Sequence, residues 1–129
     1  MAGVDVNSIL FDVPLTPPSA NHYKVPTSRF TSDGRRIHKI SDEAKAWFDA
    51  LAIMAKGREL TGKTFCVEFC VYRAKGEKGD LDNYAKLILD GLVKARVLPV
   101  SDDAVVEMHT YKARDPQNPR TQIQVTRLS

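Results

Sequence analysis

The segment TFCVEFCVY, residues 64–72, decides the fold of this chain. Aromatic and branched residues at positions 65, 67, 69 and 71 alternate with Cys66, Glu68 and Cys70. An alternation of period two is typical of a β-strand with one buried face, so we expect a central strand here. Cys66 and Cys70 would lie about 13 Å apart along it. Since that is too far for a disulfide, we expect two reduced, half-buried thiols.

Helices are predicted on both sides of this strand in the sequence. The first, over residues 42–56, follows Ser41, a natural N-cap. The second, over residues 82–95, is followed by Pro99, which stops any continuation. Each has one apolar face. The apolar positions are Ala44, Trp47, Phe48, Leu51 and Ala55 in the first helix and Ala85, Ile88, Leu89 and Leu92 in the second.

Further strands are predicted at Ser8–Val13, Val105–Lys112 and Gln122–Leu128. The last two are joined by the turn-rich residues 114–119, which predicts a hairpin. The order β-α-β-α-β-β indicates an α+β fold of two layers, a mixed β-sheet with two helices packed on one face. A chain of 129 residues is the length of one domain, residues 1–129.

Residues 16–39 show little periodicity and are interpreted as a long loop, which is either disordered or functional. Five basic residues occur in it against one acid, Asp33. We expect a DNA channel lined by basic residues of this loop and of the connection 73–79, with Tyr23 or Phe30 stacking on bases. The residues expected to contact DNA are Arg29, Arg35, Arg36, Lys39, Lys75 and Lys78.

The composition is that of an ordinary protein with a formal charge of +3. No apolar run approaches the roughly 18 residues that a membrane span needs. Residues 1–10 lack a basic start followed by an apolar stretch, so we expect a cytoplasmic protein without a membrane anchor. None of the three histidines is placed to complete a recognisable zinc pattern with the cysteines.

Four aspartates carry the chemistry. Asp80-Leu81-Asp82-Asn83 opens the second helix, and Asp102-Asp103 follows about a helix length later. In an extended backbone, Asp80 and Asp82 would point to the same face. With a third carboxylate returned by the fold, they would suit a hard cation such as Mg²⁺. Since water polarised by such an ion can hydrolyse a phosphodiester, the pattern predicts a small nuclease.

Each of these residues also has a structural interpretation. Asp80 or Asp82 could cap the second helix, and the aspartates after Ser101 could form a turn before the last strands. Lys86 lies one helical turn after Asp82. It could stabilise charge on a phosphate or orient a water, or it could form an ordinary i,i+4 ion pair.

The chain resembles the RusA-type Holliday junction resolvases of bacteria and their phages. The likeness extends over nearly the whole sequence, with its parts in the right order and at nearly the right spacing. The matching segments are Pro17-Pro18-Ser19-Ala20-Asn21-His22-Tyr23, Asp80-Leu81-Asp82-Asn83, Lys86, Asp90-Gly91-Leu92, Lys94 and Asp102-Asp103-Ala104-Val105-Val106.

This resemblance implies a homodimeric endonuclease that resolves four-way DNA junctions by paired nicks in recombination and repair. The implied cofactor is Mg²⁺, with Mn²⁺ able to substitute. The essential, metal-binding acids fall on Asp80, Asp82 and Asp103, and the functional lysine on Lys86. Which of Asp102 and Asp103 reaches the metal is open. The alternative function is a protein that binds branched DNA without cutting it.

Overall fold

The computed structural model describes residues 7–18, 24–74, 80–99 and 101–129. No helix among these residues is long and apolar enough to cross a membrane. A short 3₁₀ helix, Asp102–Ala104, precedes the fifth strand. In chain order the elements are β1 Ser8–Val13, β2 Lys24–Phe30, β3 Arg36–Ile40, α1 Asp42–Met54, β4 Phe65–Arg73, α2 Leu81–Lys94, β5 Val105–Arg114 and β6 Arg120–Arg127.

Four strands form the main sheet in the order β1-β6-β4-β5. The β4 strand pairs in antiparallel fashion with β6 and in parallel with β5, while β1 and β6 are antiparallel. The α+β class, the mixed sheet and the central position of β4 are therefore confirmed. Parallel neighbours need a crossover connection, and α2 is that connection between β4 and β5.

One hydrophobic core lies between this sheet and the two helices. The odd-numbered side chains of β4, from Phe65 to Val71, are all buried, as are Ile123 and Val125 of β6. The five predicted apolar positions of α1 are buried as well. The opposite face of β4 carries half-buried Cys66 and Cys70, both free thiols as predicted.

The predicted hairpin between β5 and β6 is wrong, because β4 lies between these two strands. Residues 115–119 cross two strand spacings, about 10 Å, which a chain of that length can span. The main-chain N–H of Asp115 donates to the carbonyl of Arg73 at 3.0 Å, so the connection is attached to the end of β4. The most apolar strand, β4, is buried best when it pairs along both of its edges. This gain in burial outweighs the tendency of residues 114–119 to form a hairpin turn.

The segment interpreted as a loop contains an antiparallel pair, β2 and β3. Its turn includes Gly34 with a φ of +88°, and the hydroxyl of Thr27 donates to the carbonyl of Ile37 at 2.7 Å. All five residues of β3 are exposed. Because neither face of this pair belongs to the core, its sequence lacks the apolar alternation that identified β4.

The two helices contact each other closely at Gly91. A Cβ atom at this position would lie 2.7 Å from Cδ1 of Leu51, well inside van der Waals contact. Nearby, the indole N–H of Trp47 donates to the carbonyl of Leu87 at 3.1 Å, in the buried space between the helices. These contacts hold α2 against α1.

We expect Gly91→Val to lower the free energy of unfolding by about 2 kcal/mol, because the added methyl groups overpack the contact with Leu51. Ala52→Val is the matched control: Ala52 is an exposed position of α1, where valine costs a few tenths of a kcal/mol of helix propensity at most. Urea unfolding of both variants measures the difference. Equal losses would contradict the close helix contact.

Candidate metal centre and nucleic-acid interface

Asp80 occupies the N-cap position of α2 with an extended backbone, φ −94° and ψ 150°. Its carbonyl accepts the first helical hydrogen bond, from the N–H of Tyr84 at 3.1 Å. Its carboxylate, however, forms no capping hydrogen bond. The N-cap position predicted for Asp80 is therefore confirmed, but its side chain, which is exposed at the start of the helix, makes no capping bond.

Asp82 is the second residue of α2 and is also exposed. The expected alignment of the two carboxylates requires an extended backbone at both residues. Since the helix begins at Leu81, only Asp80 has an extended backbone. Both acids nevertheless lie at the helix N-terminus, where the helix dipole favours negative charge. Lys86 follows one turn later on the same helix and is exposed to solvent.

Asp102 and Asp103 lie in the 3₁₀ helix, and both are exposed. The Ser101 hydroxyl accepts a hydrogen bond from the N–H of Asp103 at 3.3 Å, so the serine caps this turn. Asp102 and Asp103 both line a shallow cavity of about 430 Å³, together with Leu89 and Glu107. Asp102 also lines a neighbouring cavity with Val93 and Lys94. These two aspartates thus lie beside the second half of α2.

The structure does not bring the three predicted ligands together. Helix α2 has 14 residues and is therefore about 21 Å long. Asp80 and Asp82 lie at its beginning, whereas Asp103 lies beside Leu89. Within the described ranges, no three of these aspartates form a group of ligand atoms close enough to share an ion. Their convergence on one metal stays a prediction.

A different group of possible ligands is brought together: Cys66, Glu107 and His109, whose ligand atoms all lie within 4.8 Å of one another. Nε2 of His109 is 2.8 Å from Oε1 of Glu107. The sequence has no recognisable zinc pattern, but the fold places one histidine beside one of the two cysteines. Glu107 and His109 are two residues apart on one strand and so share a face. The missing information was the parallel pairing of β4 and β5, which places Glu107 opposite Cys66.

The thiol of Cys66 lies in negatively charged surroundings. Burial raises its pKa most, and the nearby carboxylates of Glu107 and Glu68 raise it further. All three effects disfavour the thiolate as long as no positive charge is close to it.

The basic residues predicted to contact DNA lie on the β2–β3 pair where they are described. Arg29, Arg35, Arg36 and Lys39 are all exposed. The guanidinium of Arg36 lies 5.2 Å from the ring centroid of Phe30, and Arg35 forms an ion pair with Asp33 at 3.0 Å. Lys75, Lys78 and Tyr23 lie outside the described residues.

Asp33 organises the turn of this pair. The Thr31 hydroxyl donates to its carboxylate and is the main reason that the pKa of Asp33 lies below the usual value. The guanidinium of Arg35 donates to the other carboxylate oxygen at 3.0 Å. The turn therefore presents Arg35 and Arg36 at the tip of an exposed arm.

Comparison with known protein families shows what this chain is similar to. The sequence model described as Endodeoxyribonuclease RusA matches residues 14–126, which is most of the chain. No curated protein matches the sequence.

The two helix starts provide a direct comparison of capping and non-capping side chains. The buried Ser41 hydroxyl accepts from the N–H of Ala44 at 3.1 Å. We expect Ser41→Ala to cost about 1 kcal/mol of stability. Asp80→Ala should cost less than about half of that, because no capping bond is lost. Urea unfolding without divalent ions measures both. An equal cost for Asp80→Ala would mean that its carboxylate has a structural role.

Proposed function

Because the chain belongs to the endodeoxyribonuclease RusA family, we propose that it resolves Holliday junctions by paired, symmetric nicks in DNA recombination and repair. The reaction is metal-dependent hydrolysis of a phosphodiester, and it takes place in the cytoplasm, where the DNA is. The observation that carries the proposal is the Asp80 carboxylate, which is exposed beside Asp82 and makes no capping bond.

The donor set fits Mg²⁺, with Mn²⁺ able to substitute. Asp80, Asp82 and Asp103 offer only carboxylate oxygens, which hard cations prefer. Asp103 precedes β5 beside α2, so binding of the ion has to draw it toward the first turn of the helix. When bound, the ion acts as a Lewis acid and lowers the pKa of a water for attack on phosphorus.

Lys86 supports the reaction electrostatically. It extends from the same helix as Asp82, one turn further along, and is exposed to solvent. A lysine ammonium there is a compact positive charge, suited to stabilising the negative charge that develops on the phosphate oxygens. We propose that it contacts the scissile phosphate.

The β2–β3 pair binds the DNA. A two-stranded pair without a covered face is marginally stable alone, which suits an arm that becomes ordered against a partner. Arg29, Arg35, Arg36 and Lys39 supply positive charge along it. Phe30 has 56 % of its surface exposed beside Arg36, and this ring can stack on a base where the junction opens.

The active unit is a homodimer. A four-way junction has two-fold symmetry, and two cuts on symmetry-related strands need two active sites. The sheet face opposite the helices is open, with a groove of about 450 Å³ beside Leu10 and Tyr111. These two apolar side chains are 53 % and 51 % exposed. We propose that a second copy of the chain covers this groove.

We expect Asp82→Asn to abolish junction cleavage while junction binding persists. Asparagine keeps the shape but removes the charge that holds the ion, and the basic arm supplies most of the DNA affinity. The assay is Mg²⁺-dependent nicking of a labelled four-way junction, with binding measured in parallel. Asp49→Asn, an exposed carboxylate of α1, is the matched control and should leave cleavage unchanged.

The same assay assigns the third ligand. Asp103→Asn should behave like Asp82→Asn, and Asp102→Asn should retain cleavage. Normal nicking by Asp82→Asn would refute the catalytic assignment.

Replacing Arg35 and Arg36 together by alanine should weaken junction binding and reduce its salt dependence. If each arginine contacts one phosphate, the slope of log K against log salt should fall by about 1.8. The control removes the same charge elsewhere: the exposed Lys45 of α1 and the exposed Lys56, which follows the end of α1, are replaced by alanine. An unchanged slope for the arginine variant would mean that the arm does not contact the DNA backbone.

The second candidate function is binding of branched DNA without cleavage. The observation in its favour is that the described aspartates do not form a group close enough to share an ion. It predicts metal-independent binding and no nicking of any branched substrate. The cleavage assay with and without Mg²⁺ therefore separates the two functions.

A further inference from the structure

We propose that Cys66, Glu107 and His109 form a second metal site, which binds Zn²⁺ or a similar borderline-soft divalent cation. It is chemically distinct from the carboxylate site proposed for the nuclease reaction. The three side chains provide one sulfur, one oxygen and one nitrogen ligand, a mixture that zinc sites use and that Mg²⁺ does not. The proposal does not depend on nuclease activity.

The distances fit such a site with small side-chain adjustments. All three ligand atoms lie within 4.8 Å of one another. In a tetrahedral zinc site with bonds of about 2.0–2.3 Å, ligand atoms are roughly 3.3–3.8 Å apart. Glu107 and His109, at 2.8 Å, would separate slightly as the ion replaces their direct contact. The thiol would approach by rotation about its side-chain bonds.

The backbone directly before this group has an irregularity. The register between β4 and β5 shifts after Phe65, which pairs with Val105, whereas Cys66 pairs with Glu107. One additional residue, Val106, is thereby accommodated in β5. The bulge therefore lies directly before the pair of Cys66 and Glu107. Bulges re-aim side chains and are frequent beside functional sites.

The electrostatic surroundings favour a cation. Glu68 follows Cys66 by two residues on the same face of β4 and adds a further negative charge near the thiol. An ordinary surface ion pair would explain why His109 and Glu107 lie close together. It would not explain why the half-buried thiol of Cys66 lies beside them. The side chains of His109 and Glu107 are 46 % and 51 % exposed, so a water can complete the coordination.

Metal binding at this position would connect two strands. Among the residues that the structure describes, β5 pairs only with β4 and is an edge strand of the main sheet. Cys66 lies at the beginning of β4, and Glu107 and His109 lie near the beginning of β5. The ion would therefore hold the start of β5, immediately after Asp102 and Asp103. The expected result of zinc binding is a more stable edge strand.

Titration of the full-length protein with Co²⁺ and Zn²⁺ tests the site. With excess Mg²⁺ present to occupy the carboxylate site, wild type should bind one further ion per chain, and the cobalt form should show a thiolate-to-metal charge-transfer band. Cys66→Ser should lose this band. Removal of a group that only hydrogen-bonds to a metal ligand weakens metal binding by roughly 10- to 100-fold, and the loss of zinc affinity in Cys66→Ser should be larger than that. Cys70→Ser is the matched control, because Cys70 is half-buried on the same face and outside the group.

His109→Gln tests the site at an exposed position where folding is not at risk. It should weaken zinc binding strongly, whereas His38→Gln, an exposed histidine of β3, should not. Asp82→Asn should bind zinc like wild type, which separates this site from the carboxylate site. Absence of the charge-transfer band in wild type, or equal affinities of the Cys66→Ser and Cys70→Ser variants, would refute the proposal.

Discussion

The pairing of β4 along both of its edges is the constraint on which the rest of the structure depends. Its buried side chains, Phe65 to Val71, form the centre of the core, and its neighbours are parallel β5 and antiparallel β6. Because a parallel neighbour needs a crossover, α2 must run back across the sheet. The positions of the aspartates follow, since Asp80 precedes this helix and Asp103 comes after it.

The same pairing separates the two proposed metal sites. Around α2 the available ligands are carboxylate oxygens, and on the opposite face of the sheet they are a thiol, an imidazole and a carboxylate. Glu107 connects the two regions, because it also lines the cavity beside Asp103. An ion at Cys66 would therefore hold in place the strand that follows the third proposed ligand of the nuclease site.

Sequence periodicity predicted the elements that contribute to the core. The alternation in residues 64–72 identified β4, and the apolar face beginning at Ala44 identified α1. The β2–β3 pair was missed because exposure on both faces leaves no pattern. The β5–β6 hairpin was wrong because the burial of β4 between two partners outweighs the turn residues 114–119. Strand pairing is a property of the whole core, so the proximity of Cys66 to His109 could not be inferred locally.

The central claim is that two copies of this chain cut one junction at symmetric positions in a Mg²⁺-dependent reaction. The most direct measurement uses a supercoiled plasmid that extrudes a cruciform, which is a four-way junction with two-fold symmetry. If paired nicks occur within one binding event, the wild-type protein should convert the plasmid to the linear form with Mg²⁺ and leave it intact in EDTA. Accumulation of nicked circles, or an uncut plasmid in Mg²⁺, would contradict the account.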